Sequence, residues 1–268
     1  MPKAKWQPHI KTHNMKQLLF IAFIFLSVLG WAQSSIPYHH VEPQTNAWLM
    51  YFGDHPVYKK WGVHLEGQLR RADGFQSPQQ LLLRTGINYQ LLPQSFVTLG
   101  YCWVNTYPYG AFPSKSIFPE NRIWEQFQTK NSLGRVEWVS RFRLEQRWIK
   151  APTQGVDGSW APGNPIFSNR FRSLQRFSIP LKGTKIEDHS WYISCYDELF
   201  VQFGKNVGAN VFDQNRAYVA IGTKIPKLGR VEIGYLNQLI VKSNGINVES
   251  NNTFQLGISF NLPLHHEK

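Results

Sequence analysis

The stretch VEWVSRFRLEQRWI, residues 136–149, decides the fold of this chain. Counting from Val136, every second residue is mostly apolar or aromatic, and the residues between them are mostly charged. Because side chains alternate across a β-strand, a strand here has one apolar face and one face with three arginines and two glutamates. A helix would spread those charges around its circumference. The apolar face is long enough for a tilted strand to cross a bilayer, which takes roughly 9–11 residues. An apolar outside and a polar inside is the pattern of outer-membrane barrels.

The same alternation recurs along most of the chain, and it predicts about eleven strands. They are expected at 46–53, 61–71, 79–91, 96–106, 120–130, 136–149, 170–180, 191–203, 213–225, 230–242 and 252–262. The predicted fold is therefore all-β, an antiparallel up-and-down transmembrane β-barrel of about 10–12 strands. Single-chain bacterial barrels have even strand numbers. A twelfth strand is therefore expected, either from 34–41 or from a division of 46–60. A soluble periplasmic β-sandwich is the rival fold, since it gives the same period of two.

Loop lengths predict the orientation of such a barrel. Long segments at 107–119, 150–169, 204–212 and 243–251 alternate with short turns at 92–95, 131–135 and 226–229. In outer-membrane barrels the long loops lie outside the cell and the short turns in the periplasm. The C-terminus is then expected in the periplasm.

The N-terminal region has the pattern of an export signal. The apolar run Leu18–Leu29 follows Lys16 and ends before the small residues Gly30 and Ala32, as signal peptides do. We expect residues 1–32 to form the signal region, with Met15 as the true start, and residues 33–268 to form a single outer-membrane barrel domain. The expected localisation is the cell outer membrane. The alternative is that this apolar run stays as an anchor helix.

Composition and charge narrow the class of protein. The mean hydropathy of −0.35 argues against a helical membrane protein but is compatible with strands that are half polar. The formal net charge is +12, and it falls to +8 without the four lysines of the signal region. The arginines lie beside glutamates at a period of two rather than in one stripe, which argues against nucleic acid. We expect outer-membrane lipid and lipopolysaccharide as surroundings, the barrel-assembly machinery as a partner, and a monomer.

The two cysteines fall on opposite sides of the predicted barrel wall. Alternation places Cys102 on the inner face of its strand and Cys195 on the outer face of another. Side chains on opposite faces cannot bring their Cβ atoms within the roughly 4.5 Å that a disulfide requires. The sequence therefore predicts two separate thiols.

Several segments together resemble a known family. They are ENRIWEQF at 120–127, RFRLEQRW at 141–148, YDELFVQFG at 196–204, FDQNRAYVAIG at 212–222 and GYLNQ at 234–238. In this they are similar to an uncharacterised domain-of-unknown-function family of predicted Gram-negative outer-membrane β-barrels. The resemblance implies the fold and the location, and it implies no reaction. One departure concerns the end of the chain, because Phe260 is followed by further residues where barrel proteins often end on an aromatic one.

The residues that carry candidate chemistry lie on the predicted inner faces. They form a ladder of charges that would line the lumen: Glu66, Arg70, Arg84, Arg122, Arg141, Arg143, Glu145, Arg147, Arg170, Arg172, Arg176, Arg216 and Glu232. Buried charges must be paired, and arginine offers five donors for pairing. The favoured interpretation is a structural Arg–Glu network that fills the lumen. A narrow anion pore lined by arginines is the second interpretation.

An enzyme acting on envelope lipid or lipopolysaccharide is the third interpretation. Its candidate catalytic carboxylates are Asp197, Glu198 and Asp213, because paired carboxylates can perform acid–base work. Asp197 falls on the apolar face of its strand, so we expect a β-bulge to turn it inward. His64 and the His189-Ser190 pair show no spacing that would join them in a hydrolase. The sequence has no metal-binding spacing and no cofactor motif, so no metal and no cofactor are expected.

Overall fold

A computed structural model of the protein describes residues 40–264, which form thirteen β-strands. The expected signal region, residues 1–32, lies outside the described residues. The strands are β1 (His40–Tyr58), β2 (Trp61–Ala72), β3 (Ser77–Leu92), β4 (Ser95–Thr106), β5 (Phe118–Leu133), β6 (Val136–Ile149), β7 (Pro152–Gln154), β8 (Trp160–Pro162), β9 (Ile166–Pro180), β10 (Trp191–Phe203), β11 (Phe212–Ile225), β12 (Gly229–Val241) and β13 (Asn247–Phe260).

Eleven of these strands close into one barrel, which confirms the predicted all-β barrel and excludes a two-sheet sandwich. Each pairs with its chain neighbour, and β6 pairs with β9 across the short β7–β8 hairpin. The expectation of a twelfth strand is wrong. The barrel closes because β1 pairs with β13 in parallel, from His40 opposite Asn247 to Gly53 opposite Phe260. An odd number of up-and-down strands leaves its first and last strands parallel, so this pairing removes both sheet edges.

The first strand is longer than predicted. A strand over 46–53 was expected, but β1 runs for 19 residues from His40 to Tyr58. Pro56 lies near its end, where the register with β2 shifts between Pro56 and Tyr58. The strand continues because it pairs with β2 as far as Tyr58, opposite Trp61, and the C-terminal segment adds one hydrogen bond. The Leu264 amide donates to the Pro56 carbonyl at 2.9 Å. β13, which ends at Phe260, is thus the strand that closes the barrel, although further residues follow Phe260.

The connections differ in length at the two ends of the barrel. One end, here called the loop end, carries the connections 73–76, 107–117, 150–165, 204–211 and 242–246. The opposite end carries 59–60, 93–94, 134–135, 181–190 and 226–228, together with the end of β13. The predicted loop over 150–169 is wrong in its bounds. It contains the β7–β8 hairpin, and β9 begins at Ile166.

The alternation of side chains sorts the barrel into an apolar outer surface and a polar interior. Exposed outer residues include Leu83, Ile87, Leu99 and Phe254, whereas most buried residues facing inward are polar or charged. Cys102 is buried and Cys195 is exposed, and both are free thiols. Residues 40–264 contain no helix long and apolar enough to cross a membrane.

Glycines make room for large aromatic side chains inside the barrel. A Cβ added at Gly100 would lie 2.7 Å from the Trp124 ring, and one at Gly86 would lie 3.1 Å from it. Trp124 therefore packs flat against a part of the wall that has no side chains. This is one reason why the interior holds both an indole and several guanidinium groups.

Candidate functional site: the arginine-rich interior

The thirteen residues of the sequence-derived charge ladder all face the barrel interior. Ten are buried, and Arg141, Arg147 and Arg176 are half-buried. They come from β2, β3, β5, β6, β9, β11 and β12, and Glu198 joins them from β10, because each strand presents every second residue to the lumen. The interior is therefore a charged core rather than an apolar one.

Glu145 on β6 is the centre of the largest ion-pair group. Its carboxylate accepts from Arg170 Nη2 at 2.6 Å and from Arg172 Nη1 at 2.7 Å. Arg84 Nη2 and Arg122 Nη1 lie at 3.4 Å and 3.7 Å. The side chain of Glu145 is fully buried. One carboxylate is thus shared by four guanidinium groups, and this pairing offsets part of the cost of burying their charge.

Glu198 on β10 organises a second group. Its Oε1 atom accepts from Arg172 Nη2 at 2.7 Å and from Arg141 Nη2 at 2.8 Å. The pair with Arg141 joins β10 to β6, which are separated by β9. The Arg84–Glu145 pair likewise joins β3 to β6. These contacts cross the lumen and tie non-adjacent strands together.

Arg143 makes its closest polar contacts with a glutamine and a longer one with a glutamate. For Arg143, as for the other inner-face arginines, pairing with a glutamate was expected. Its Nε and Nη2 atoms instead donate to Gln126 Oε1 at 3.0 Å and 2.6 Å. Glu66 lies 4.0 Å away. The guanidinium carbon also lies 4.5 Å from the centre of the Trp124 ring.

Aromatic rings complete the packing of the guanidinium groups. Phe200 lies under Arg172 and Arg216 at 4.5 Å and 4.6 Å, and Trp48 lies under Arg70 at 4.1 Å. A cation over a ring face is attracted by the ring quadrupole, and the ring excludes water from one side of the cation. Trp48, Trp124 and Phe200 were not among the sequence-derived site residues. Alternation could have found two of them, because Trp124 shares the inner face of Arg122 and Phe200 shares that of Glu198. The predicted strand 46–53 has no charged residue to mark Trp48.

A cavity of about 350 Å³ lies at the loop end of this charged core. Residues of every barrel strand except β1 and β13 line it, together with loop residues that include Tyr109, Asn206 and Asn210. The Tyr109 hydroxyl donates to Glu249 Oε2 at 3.0 Å. Burial, and then the charge of Glu249, raise the pKa of Tyr109 well above its usual range. The phenol therefore stays protonated and keeps donating this bond.

The expectation that Asp197 turns inward is wrong. β10 pairs with β9 without a register shift, and Asp197 stays exposed on the outer surface. Its Oδ2 atom accepts from Asn215 Nδ2 at 2.9 Å. Asn215 also faces outward, and it supplies the polar partner that the apolar surface lacks.

A β-bulge does turn a carboxylate inward, but it lies further along and acts on Asp213. β10 and β11 pair Phe200 with Gln214 and then Val201 with Phe212, so Asp213 is an extra residue without a partner across the ladder. The bulge breaks the alternation of β11 and directs the Asp213 side chain into the lumen. There Asp213 Oδ2 lies 2.7 Å from Arg170 Nη1.

The three candidate catalytic carboxylates are therefore not brought together as an acid–base pair. Asp197 and Glu198 lie on opposite sides of the wall, and Asp213 and Glu198 are both held by arginines. His64 is buried between Asp54 and Glu66, at 2.8 Å and 3.3 Å, whereas His189 and Ser190 lie in the β9–β10 connection. Among residues 40–264, no group of three or more His, Cys, Asp or Glu side chains could hold a metal ion.

Comparison with known proteins places most of the barrel in one family. The profile of a family described as "Protein of unknown function (DUF2490)" matches residues 45–250. An uncharacterised protein of Methylorubrum extorquens is 28% identical over 192 residues, which is 69% of this chain and 74% of that protein. No solved structure matches the chain.

Proposed function

We propose, for a chain that belongs to the DUF2490 family, a role as an outer-membrane β-barrel whose lumen is closed by its own ion-pair network. Its function in this proposal is structural, and it does not conduct ions. The observation that carries the proposal is the inverted distribution of polarity, with apolar side chains outside and arginines inside.

The apolar outer surface supports the part of the proposal that places the barrel in a bilayer. Large exposed apolar side chains occur on strands around the barrel, such as Leu83 on β3, Phe127 on β5, Phe177 on β9, Val219 on β11 and Phe254 on β13. Soluble monomers rarely expose contiguous apolar patches larger than a few hundred Å². The barrel strands have 12 to 19 residues, and a tilted strand needs roughly 9–11 to cross a bilayer.

The interior supports a closed lumen rather than a pore. Water-filled channels leave the side chains that line them accessible to water. Here Trp48, Trp124, Phe200, Leu236 and Glu145 are essentially fully buried although all of them face inward. The Arg–Glu pairs that cross the lumen fill the space between these side chains. A conducting path would have to break ion pairs whose loss costs roughly 3–5 kcal/mol each.

Planar-bilayer recording on the purified full-length chain tests both parts of this proposal. We expect insertion without a steady current, because the middle of the lumen is packed. Insertion is verified in matched vesicles by protection of the strands from trypsin, so that silence cannot come from protein left in solution. A stable, ohmic, anion-selective current contradicts the closed lumen. Complete digestion of the chain in the presence of vesicles contradicts the membrane setting.

A further inference from the structure

We propose that the cavity at the loop end is a binding site for a small oxyanion carrying two or more negative charges, such as a phosphate group. The site is formed by Arg70 and Arg216 over the Trp48 ring, and it lies above the ion-pair network that closes the lumen. Nothing in this proposal depends on the membrane setting, because it rests on the charges of the cavity wall.

The cavity is lined by more arginines than carboxylates, so its wall has an excess of positive charge. Seven arginines line it, and Glu120 and Asp213 are the only acidic residues among the lining residues of the described chain. Three glutamates of the layer below, Glu66, Glu145 and Glu198, share their carboxylates with these arginines. They also contact Arg141 and Arg143, so nine guanidinium groups share five carboxylates. Buried charge without a counter-charge is costly, so the excess calls for an anion.

Arg70 is the clearest case of a guanidinium without a carboxylate. It is buried, and its donors go to the neutral amides of Gln68 and Gln80, the latter at 2.7 Å. Within residues 40–264, no carboxylate lies within 4.0 Å of Arg70. Trp48 covers one face of the guanidinium at 4.1 Å, which leaves its other face toward the cavity.

Arg216 lies on the same ring and is only weakly neutralised. Its guanidinium carbon is 5.4 Å from the Trp48 ring centre, and its closest carboxylate contact is Glu198 at 3.7 Å. Glu198 already accepts from Arg141 and Arg172 at shorter distances. The Arg216 Nε atom is buried and has no hydrogen-bond partner. Two such guanidinium groups beside one indole supply positive charge and N–H donors for a phosphate or sulfate, which would replace the neutral amide partners of Arg70.

The size of the cavity limits the ligand. A volume of about 350 Å³ is at the lower end of the range for small-molecule sites, roughly 300–1,000 Å³. It admits an inorganic oxyanion or the phosphorylated part of a larger molecule. The source of the anion is either a free solute or the phosphorylated headgroup of a lipid, and the chemistry that binds it is the same.

Calorimetric titration of inorganic phosphate into the full-length chain in detergent micelles tests the site, with sodium chloride at the same ionic strength as the control. We expect one phosphate per chain and no equivalent signal from chloride. Arg70→Gln and Arg216→Gln should each weaken phosphate binding by about tenfold or more, since each removes charged hydrogen bonds. Arg135→Gln removes the same charge at the opposite end of the barrel and should bind as the unaltered chain does. Where Arg70→Gln does not fold, Arg70→Lys replaces it, since it keeps the charge and loses the fork.

The same titration in micelles of a phosphate-free detergent, with and without added lipid A, separates the two sources. Loss of phosphate binding when lipid A is present identifies a lipid headgroup as the occupant, and unchanged binding identifies a soluble anion. The proposal is overturned if phosphate gives no more signal than chloride. It is also overturned if Arg70→Gln and Arg216→Gln both fold and bind phosphate as tightly as Arg135→Gln. Neither result bears on whether the barrel inserts into a bilayer.

Discussion

Asp197 and Glu198 are consecutive residues that meet opposite surroundings. Asp197 lies on the apolar outer surface with Asn215 as its hydrogen-bond partner. Glu198 lies in the lumen and accepts from Arg141 and Arg172. The wall is only one strand thick, so consecutive residues face different surroundings. A carboxylate is unfavourable on the apolar outer side, whereas on the inner side it pairs with arginines. In the proposed bilayer, replacing the two residues should therefore change the free energy of unfolding in opposite directions.

Replacing each acid should therefore change stability in opposite directions. Asp197→Leu should raise the free energy of unfolding by about 1 kcal/mol, because a carboxylate on a lipid-facing strand is unfavourable. Glu198→Gln should lower it by about 3 kcal/mol, because the buried Arg172 and the half-buried Arg141 lose their counter-charge. Urea titration of the chain folded into phosphatidylcholine vesicles measures both. A stabilising effect of Glu198→Gln, or a destabilising one of Asp197→Leu, contradicts the assignment of the two faces.

At the scale of the elements, alternation in the sequence predicted most strands and the inner-face parity of the arginines, because a period of two is a local property. It did not predict the bulge that directs Asp213 inward, since a bulge depends on the register with β10. The length of β1 and its parallel pairing with β13 also escaped prediction, because both depend on residues some 200 positions away. Alternation puts Arg143 in the lumen, but only the folded barrel decides that Gln126 is its partner.

The glycines of β3 and β4 give a prediction about the packing of these elements. Gly100→Ala places a methyl group 2.7 Å from the Trp124 ring and against the Thr85 carbonyl. The ring has to move, and overpacking of this kind costs roughly 1–3 kcal/mol. Gly67→Ala is the matched control, since its nearest neighbour, a Leu83 methyl, would be 3.9 Å away. The urea midpoint should fall for Gly100→Ala and stay nearly unchanged for Gly67→Ala. An equal effect of the two would show that Trp124 does not pack as described.

At the scale of the whole molecule, the barrel reverses the usual arrangement of a soluble protein. Its interior holds Arg–Glu networks that cross from strand to strand, and its outer surface holds exposed leucine, isoleucine and phenylalanine side chains. Both features follow from one sequence pattern repeated on eleven strands. The closed lumen, the anion site at the loop end and the apolar exterior are then three consequences of the same alternation.

The most direct test of the inverted barrel uses its natural cysteines. Cys195 is exposed on the outer face of β10, four residues from Trp191, and Cys102 is buried. A pyrene maleimide should therefore label Cys195 alone in the folded chain. In vesicles, brominated phospholipid should quench the pyrene strongly, and iodide in the water should have little effect. Strong quenching by iodide with none from brominated lipid would mean that the apolar wall faces water, and the outer-membrane barrel would be contradicted.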